Sequence, residues 1–235
     1  MYQITILISF IFGLAGCIGS NSSAPPARTT TPGDTLELIV KKDSLPPIPI
    51  HYDYDTSQWT ELKNLDTSIQ IIMKYATTDN FVKEVMYPCS RCFLRPQLAL
   101  QIVKIQRELQ TKGYGLKMLD CYRPKPIQQK LWDKVPDARY VTPPKKGSMH
   151  NRGQAVDLTL VDKNGIELDM GTPYDFFGEK AYPAYTNLPE AVLQRRRLLS
   201  DVMVKYGFKP IRTEWWHFSY PKAPSPISEM VWECE

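Results

Sequence analysis

Two histidines, an aspartate and a glutamate carry the clearest chemical signal in this chain. His150 ends a Pro- and Lys-rich stretch and stands seven residues before Asp157, in the segment Ser148–Asp157 (SMHNRGQAVD). Glu214 and His217 stand three apart in TEWWH. Two imidazole nitrogens and one carboxylate oxygen make a three-ligand zinc site with an open fourth position for water. Zinc brings the pKa of such a water toward neutrality. A further carboxylate, free of the metal, is then needed to take the proton and hand it to a leaving amine. Glu214 is the candidate. Each residue alone has a plainer reading: an Asp on a strand is usually solvated, and a His beside two Trp residues is usually packed core. Only three histidines exist in the chain (His51, His150, His217), and two of them sit beside carboxylates. That conjunction points to a metal.

The elements that must position these groups follow from periodicity. Ala155–Val161 alternates, with Val156, Leu158 and Leu160 on one face and Asp157 on the other, as a strand requires. Gly153 permits a turn between His150 and that strand. In a regular strand Glu214 and His217 would face opposite sides, so a turn or bulge must re-aim one of them. Ser68–Tyr75 (SIQIIMKY) reads as a strand. Pro96 opens a helix whose face is Leu98, Ile102, Ile105 and Leu109, with Gly113 as its left-handed end. Gly115–Asp120 is a strand, Tyr122-Arg123-Pro124 the turn leaving it, and Ile127, Leu131 and Val135 mark a second helix stopped by Pro136. Residues 136–149 form a loop. Asn164-Gly165 signals a hairpin. Asn187 and Glu190 have capping-box spacing. They open a long helix with Val192, Leu199, Val202, Met203 and Tyr206 inward, closed by Gly207. Arg195, Arg196 and Arg197 read as its solvated face, with one of them available to a buried carboxylate. Phe208–Tyr220 supplies one or two final strands. No βαβ rhythm appears, so the fold class is α+β: one domain, a mainly antiparallel sheet flanked by helices, with the zinc site in a cleft or at the sheet edge.

Composition sets the frame. The chain has 235 residues, 43% hydrophobic and 23% charged, which is ordinary globular make-up. Its net charge of +4 is small and the basic residues are scattered, so nucleic acid is not an expected partner. Ile4–Leu14 is an apolar run of eleven residues, too short for a membrane span, which takes about 20, and the right length for a secretory signal. It leads into Leu14-Ala15-Gly16-Cys17, which resembles a bacterial lipobox whose Cys is acylated; a plain signal peptide or an N-terminal helix are the other readings. On the lipobox reading the exported protein is a lipoprotein facing the periplasm or cell exterior, and the lipid anchor is its one link to the membrane. Residues 18–50 are rich in Pro, Ser and Thr and read as a linker, with Leu36–Val40 as a short strand or part of it. Residues 51–235 are the folded domain. Without Cys17, four cysteines remain (Cys89, Cys92, Cys121, Cys234). An even number in an exported protein suggests disulfides, and three pairings are open. Cys92 with Cys121 is the favoured bridge. The alternatives for the C-x-x-C are a redox pair or half a zinc site. Nothing in the pattern sets an oligomeric state.

The motif S-x-H-x-x-x-x-x-x-D followed by E-x-x-H resembles the zinc D,D-peptidases that cut D-alanyl bonds of cell-wall material. The likeness is greatest to the D-alanyl-D-alanine dipeptidases. Lys74–Phe81 (KYATTDNF), Leu119–Pro124 (LDCYRP), SMHNRGQAVDLTL, Met170–Phe177 (MGTPYDFF), Gln194–Leu199 (QRRRLL) and EWWH resemble family segments in the family's order. The resemblance implies one Zn²⁺ per chain held by His150, Asp157 and His217, with Glu214 as general base and then acid. It further implies Arg123 as the stabiliser of the oxyanion, Asp175 as the partner of the substrate ammonium, and Tyr75 and Ser148 as pocket walls. A carboxylate that must pair with a free amine in a closed pocket favours a dipeptide over a longer chain. A D,D-carboxypeptidase acting on stem peptides and a non-catalytic lipoprotein that keeps the zinc fold are the competing readings.

Overall fold

The structure, a computed structural model, describes residues 51–222 and 225–234. The expected signal, Cys17, the linker and the Leu36–Val40 strand lie outside the described residues.

A five-stranded sheet forms the centre. Its strands are β2 (Gln70–Ile71), β4 (Tyr114–Asp120), β5 (Ala155–Asp162), β6 (Lys209–Pro210) and β7 (His217–Ser219), in the spatial order β2-β4-β5-β7-β6. Only β2 with β4 is parallel; the other pairs are antiparallel. A separate antiparallel pair joins β1 (Thr60–Glu61) to β3 (Phe93–Leu94). The helices are α1 (Pro96–Gln110), α2 (Lys125–Lys134) and α3 (Glu190–Lys205). This is the α+β architecture the periodicity predicts.

Local signals account for most elements. Pro96 sits in the first turn of α1, where its missing N–H costs no hydrogen bond. The buried face of α1 includes Leu98, Ile102, Ile105 and Leu109, and the helix packs on β4. Gly113, with φ 80°, ends the turn between them. Central strand β5 is buried from Ala155 to Val161 on both faces. Burial of both faces explains why Asp157 is not solvated: its side of the strand is enclosed as well.

Three expectations are corrected. Of Ser68–Tyr75 only Gln70–Ile71 pairs as strand, and Lys74–Ala76 is a 3₁₀ turn. That turn carries Tyr75 inward, away from the ladder. Pro189, not a side chain, caps α3, and no capping box forms at Asn187; fixed proline geometry already sets the entry into the helix. The three arginines of α3 are not one solvated face. Arg197 pairs with Glu190 at 2.6 Å, but Arg196 is buried and its guanidinium donates to the carbonyls of Met170, Lys180 and Tyr182. Backbone oxygens, not a carboxylate, satisfy it, and this ties α3 to the 170–182 segment.

Two disulfides are present, Cys89–Cys234 and Cys92–Cys121. The C-x-x-C cysteines therefore go to different partners. One bridge joins β3 to the end of β4, and the other holds the C-terminal stretch, whose Trp232 is buried against Tyr87 and Phe93.

Candidate active site

Register builds the centre. Asp157 of β5 lies opposite His217 of β7 on one side and opposite Asp120 of β4 on the other. Residues directly opposed share a face and stand close. A register shift between Met118 and Asp120 brings Asp120, in place of Leu119, into that row. His150 arrives from the 3₁₀ turn His150–Arg152, which Gly153 closes at φ 67°. A Cβ on Gly153 would come within 2.3 Å of the Trp59 ring, so both backbone and space demand glycine there. The cluster thus lies in a cleft on an interior strand and its neighbour.

The three candidate ligand atoms form a tight triangle. His217 Nδ1 is 2.9 Å from Asp157 Oδ1, His150 Nε2 is 3.3 Å from that oxygen, and the two nitrogens are 3.1 Å apart. Ligands about 2.0–2.1 Å from a tetrahedral ion stand roughly 3.3 Å from one another, so the triangle fits. The outer contacts aim each ligand inward. His150 Nδ1 donates to the Cys121 carbonyl at 2.7 Å, which leaves the Nε2 lone pair facing the triangle. His217 Nε2 lies 3.0 Å from Ser219 Oγ, which leaves Nδ1 to face it. The Tyr174 hydroxyl donates to Asp157 Oδ2 at 3.0 Å, leaving Oδ1. Such outer partners hold the tautomer and orientation of metal ligands. Among the described residues this is the group able to hold a metal ion.

Electrostatics agree. Burial opposes charge on Asp157, yet the two imidazoles beside it hold its pKa far below the carboxylate range. Burial likewise opposes charge on His150, while Asp157 holds its pKa above the usual imidazole value. Three polar atoms converge here that a proton or a cation must bridge.

Glu214 sits in the turn before β7, with Oε2 3.9 Å from His217 Nδ1. The turn at Trp215–Trp216, pinned by Leu158 N–H donating to the Trp216 carbonyl at 3.1 Å, brings Glu214 and His217 to one side. Burial, with the charges of Asp157 and Asp175, pushes the Glu214 carboxyl up to about 8, against the pull of His217. A cation among the ligands would draw it back toward neutrality, the range suited to proton transfer near pH 7.

Arg123 is nearly buried. Its Nε and Nη2 donate to Asp120 Oδ2 at 3.0 and 2.6 Å, and Nη1 donates to Gln128 at 3.0 Å. Three of five N–H groups are thereby committed, which leaves two for an oxygen in the cleft. Tyr75 lies against Arg123, the guanidinium carbon 5.0 Å from the ring centre, and the Tyr75 hydroxyl donates to Asp175 Oδ2 at 3.2 Å. Burial pushes the Asp175 carboxyl up to about 8, and the Asp157 charge adds to it. Asp175 also has φ 59°, a left-handed conformation uncommon outside glycine, and this aims its side chain into the cleft. Ser148 lines the same cavity, its N–H bonded to Asn151 Oδ1 at 2.7 Å. The cavity holds about 270 Å³, at the small end of ligand sites.

All eight candidate side chains of the domain line this one cavity. Periodicity did not reveal Asp120, Tyr174, Gln128 or Ser219 as supports. Asp120 needs the β4 bulge, and Tyr174 needs the loop path. Only Ser219, two residues after His217 on one strand, carried a readable signal.

A family model described as D-ala-D-ala dipeptidase, peptidase M15, matches residues 55–233. The chain belongs to this family. The D-alanyl-D-alanine dipeptidase of Escherichia coli strain K12 is 37% identical over 181 residues, 77% of this chain and 94% of that protein. Its namesake from Enterococcus faecalis strain V583 is 32% identical over 177 residues, covering 65% of this chain and 86% of that protein. A third, from Enterococcus faecium, is 32% identical over 176 residues, covering 66% and 87%. The family match takes in every candidate side chain of the domain, from Tyr75 to His217.

Proposed function

We propose that this protein is a zinc-dependent D-alanyl-D-alanine dipeptidase. The observation that carries the reading is the inward triangle of His150, Asp157 and His217 with an unligated carboxylate, Glu214, beside it. A single zinc ion held by those three side chains would supply a water of near-neutral pKa and a positive charge beside the scissile carbonyl.

The chain's own groups do the rest. Glu214 takes the proton of the attacking water and returns it to the nitrogen of the departing D-alanine, so water is added across one C–N bond and two amino acids leave. Arg123, its fork held by Asp120 and Gln128, presents its two remaining N–H groups to the carbonyl oxygen as negative charge develops there. Asp175, steadied by Tyr75, pairs with the substrate ammonium. Burial and the charge of Asp175 push the Tyr75 phenol well above its ordinary pKa, so it remains a donor. Ser148 borders the substrate. A substrate extended at its N-terminus has no ammonium for Asp175 and leaves a buried carboxylate unmatched.

Export as a lipoprotein belongs to the same reading. The Ile4–Leu14 run, the Leu-Ala-Gly-Cys17 sequence and the Pro-rich residues 18–50 support a lipid-tethered domain. Two disulfides suit an oxidising compartment.

The test is D-alanine release from D-Ala-D-Ala by the zinc-loaded protein, before and after chelation, beside a stem pentapeptide ending in D-Ala-D-Ala. Dipeptide turnover that vanishes on chelation and returns with zinc is expected, with the pentapeptide slower by on the order of 100-fold. Cleavage of the pentapeptide alone would turn the assignment to a carboxypeptidase.

A further inference from the structure

A dipeptide has two charged ends, and the groups discussed so far meet only one of them. The cavity lining contains two cationic side chains, Arg123 and Arg139. Arg123 sits beside the His150–Asp157–His217 triangle and is already assigned to the scissile carbonyl. Arg139 is on the 136–147 loop, is well exposed, and its partner is Asp137. Nε and Nη2 of Arg139 donate to the Asp137 carboxylate, at 3.0 and 2.5 Å. Nη1 has no hydrogen bond among the described residues, so one edge of the fork is available.

The loop that carries Arg139 is fastened to the loop that carries Asp175. The next residue, Tyr140, stacks on Phe177 with ring centres 4.4 Å apart and planes 21° from parallel. Phe81 packs on Phe177 as well, with ring centres 5.0 Å apart. All three rings line the cavity. Asp175 lies two residues before Phe177, and Arg139 one residue before Tyr140. The ring stack therefore holds together the two loops that carry Asp175 and Arg139, and both residues line the one small cavity. A short zwitterion complements that arrangement.

We infer that Arg139, steadied by the Tyr140–Phe177 stack, receives the C-terminal carboxylate of the dipeptide and makes the free carboxylate a condition of efficient binding. This rests on the dipeptidase reading. The planar fork suits a carboxylate, bonded through two parallel N–H groups. Asp137 engages the guanidinium through Nε and Nη2, which leaves Nη1 and the second N–H of Nη2 for a substrate carboxylate.

The experiment compares D-Ala-D-Ala with D-alanyl-D-alaninamide, whose carboxylate is replaced by a neutral amide, on zinc-loaded native, Arg139→Ala and Arg139→Lys proteins. The native enzyme is expected to favour the carboxylate by on the order of tenfold in kcat/KM, the worth of one charge-assisted pair. Arg139→Ala brings the preference close to one, through a raised KM for D-Ala-D-Ala, and Arg139→Lys keeps part of it. Unfolding midpoints confirm that both variants fold. If Arg139→Ala keeps the full preference, the inference fails while the dipeptidase assignment stands. Equal use of both substrates by the native protein likewise overturns the inference and leaves the assignment intact. If the native protein hydrolyses neither, the assignment itself fails and takes the inference with it.

Discussion

The carbonyl oxygen of Cys121 accepts a hydrogen bond from His150 Nδ1 at 2.7 Å, and the same Cys121 is bridged to Cys92. The disulfide thus holds the very oxygen that orients His150, a candidate metal ligand. A bridge closing a loop of this length, 29 residues apart in sequence, contributes roughly 3–4 kcal/mol by chain entropy. The double variant Cys92→Ala, Cys121→Ala is expected to unfold about 6–16 °C lower and to bind zinc about tenfold more weakly. Calorimetry and chelator competition measure the two effects separately. Unchanged zinc affinity would show that the carbonyl stays in place without the bridge.

Glu214→Gln keeps the shape of the side chain and removes its proton chemistry. Turnover of D-Ala-D-Ala should fall by about 10²–10⁴, with zinc still bound one per chain. Retained turnover would assign the proton transfer to another group.

Tyr174→Phe deletes the hydroxyl that engages Asp157 Oδ2 and leaves the ring, which packs edge-on to Tyr75 and Trp216. Zinc affinity is expected to drop on the order of tenfold with little change in thermal stability. A large loss of stability with normal zinc binding would make the hydroxyl a packing element only.

Asp175 predicts a pH dependence. Its carboxyl has an ordinary value of 3.8 and is pushed up to about 8 in the folded protein. For a raised folded-state pKa, the stability contribution is fully present below the unfolded value and is lost as pH rises through the folded one. Asp175→Asn removes that loss and tolerates the left-handed backbone. In metal-free protein the variant should match the native chain at pH 3.5 and exceed it at pH 9 by on the order of 2 kcal/mol. Urea unfolding at the two pH values tests this. The same change should raise KM for D-Ala-D-Ala.

Cys17→Ser addresses the anchor. The native protein should partition with membranes and the variant with the soluble fraction, because a single acylated residue provides the hold. Equal partitioning of both proteins would remove the lipoprotein reading.

The candidate ligand types, the strand that bears Asp157, the helix opened by Pro96 and the mixed α+β class are all legible along the chain. These follow from side-chain chemistry and from periods of two and of three to four residues, which are local properties. Which neighbours those elements meet emerges only when the chain is folded. Residues 118–120 do not announce the bulge that brings Asp120 under Arg123. Nor does the arginine run at 195–197 show that Arg196 will be buried against the carbonyls of the 170–182 segment. Asn187 and Glu190 have capping spacing, yet the adjacent Pro189 sets the helix entry. Spacing of Cys89, Cys92, Cys121 and Cys234 is consistent with every pairing. Each outcome depends on atoms brought together from distant parts of the chain, and a pattern read along one segment holds no information about the surface that will press against it.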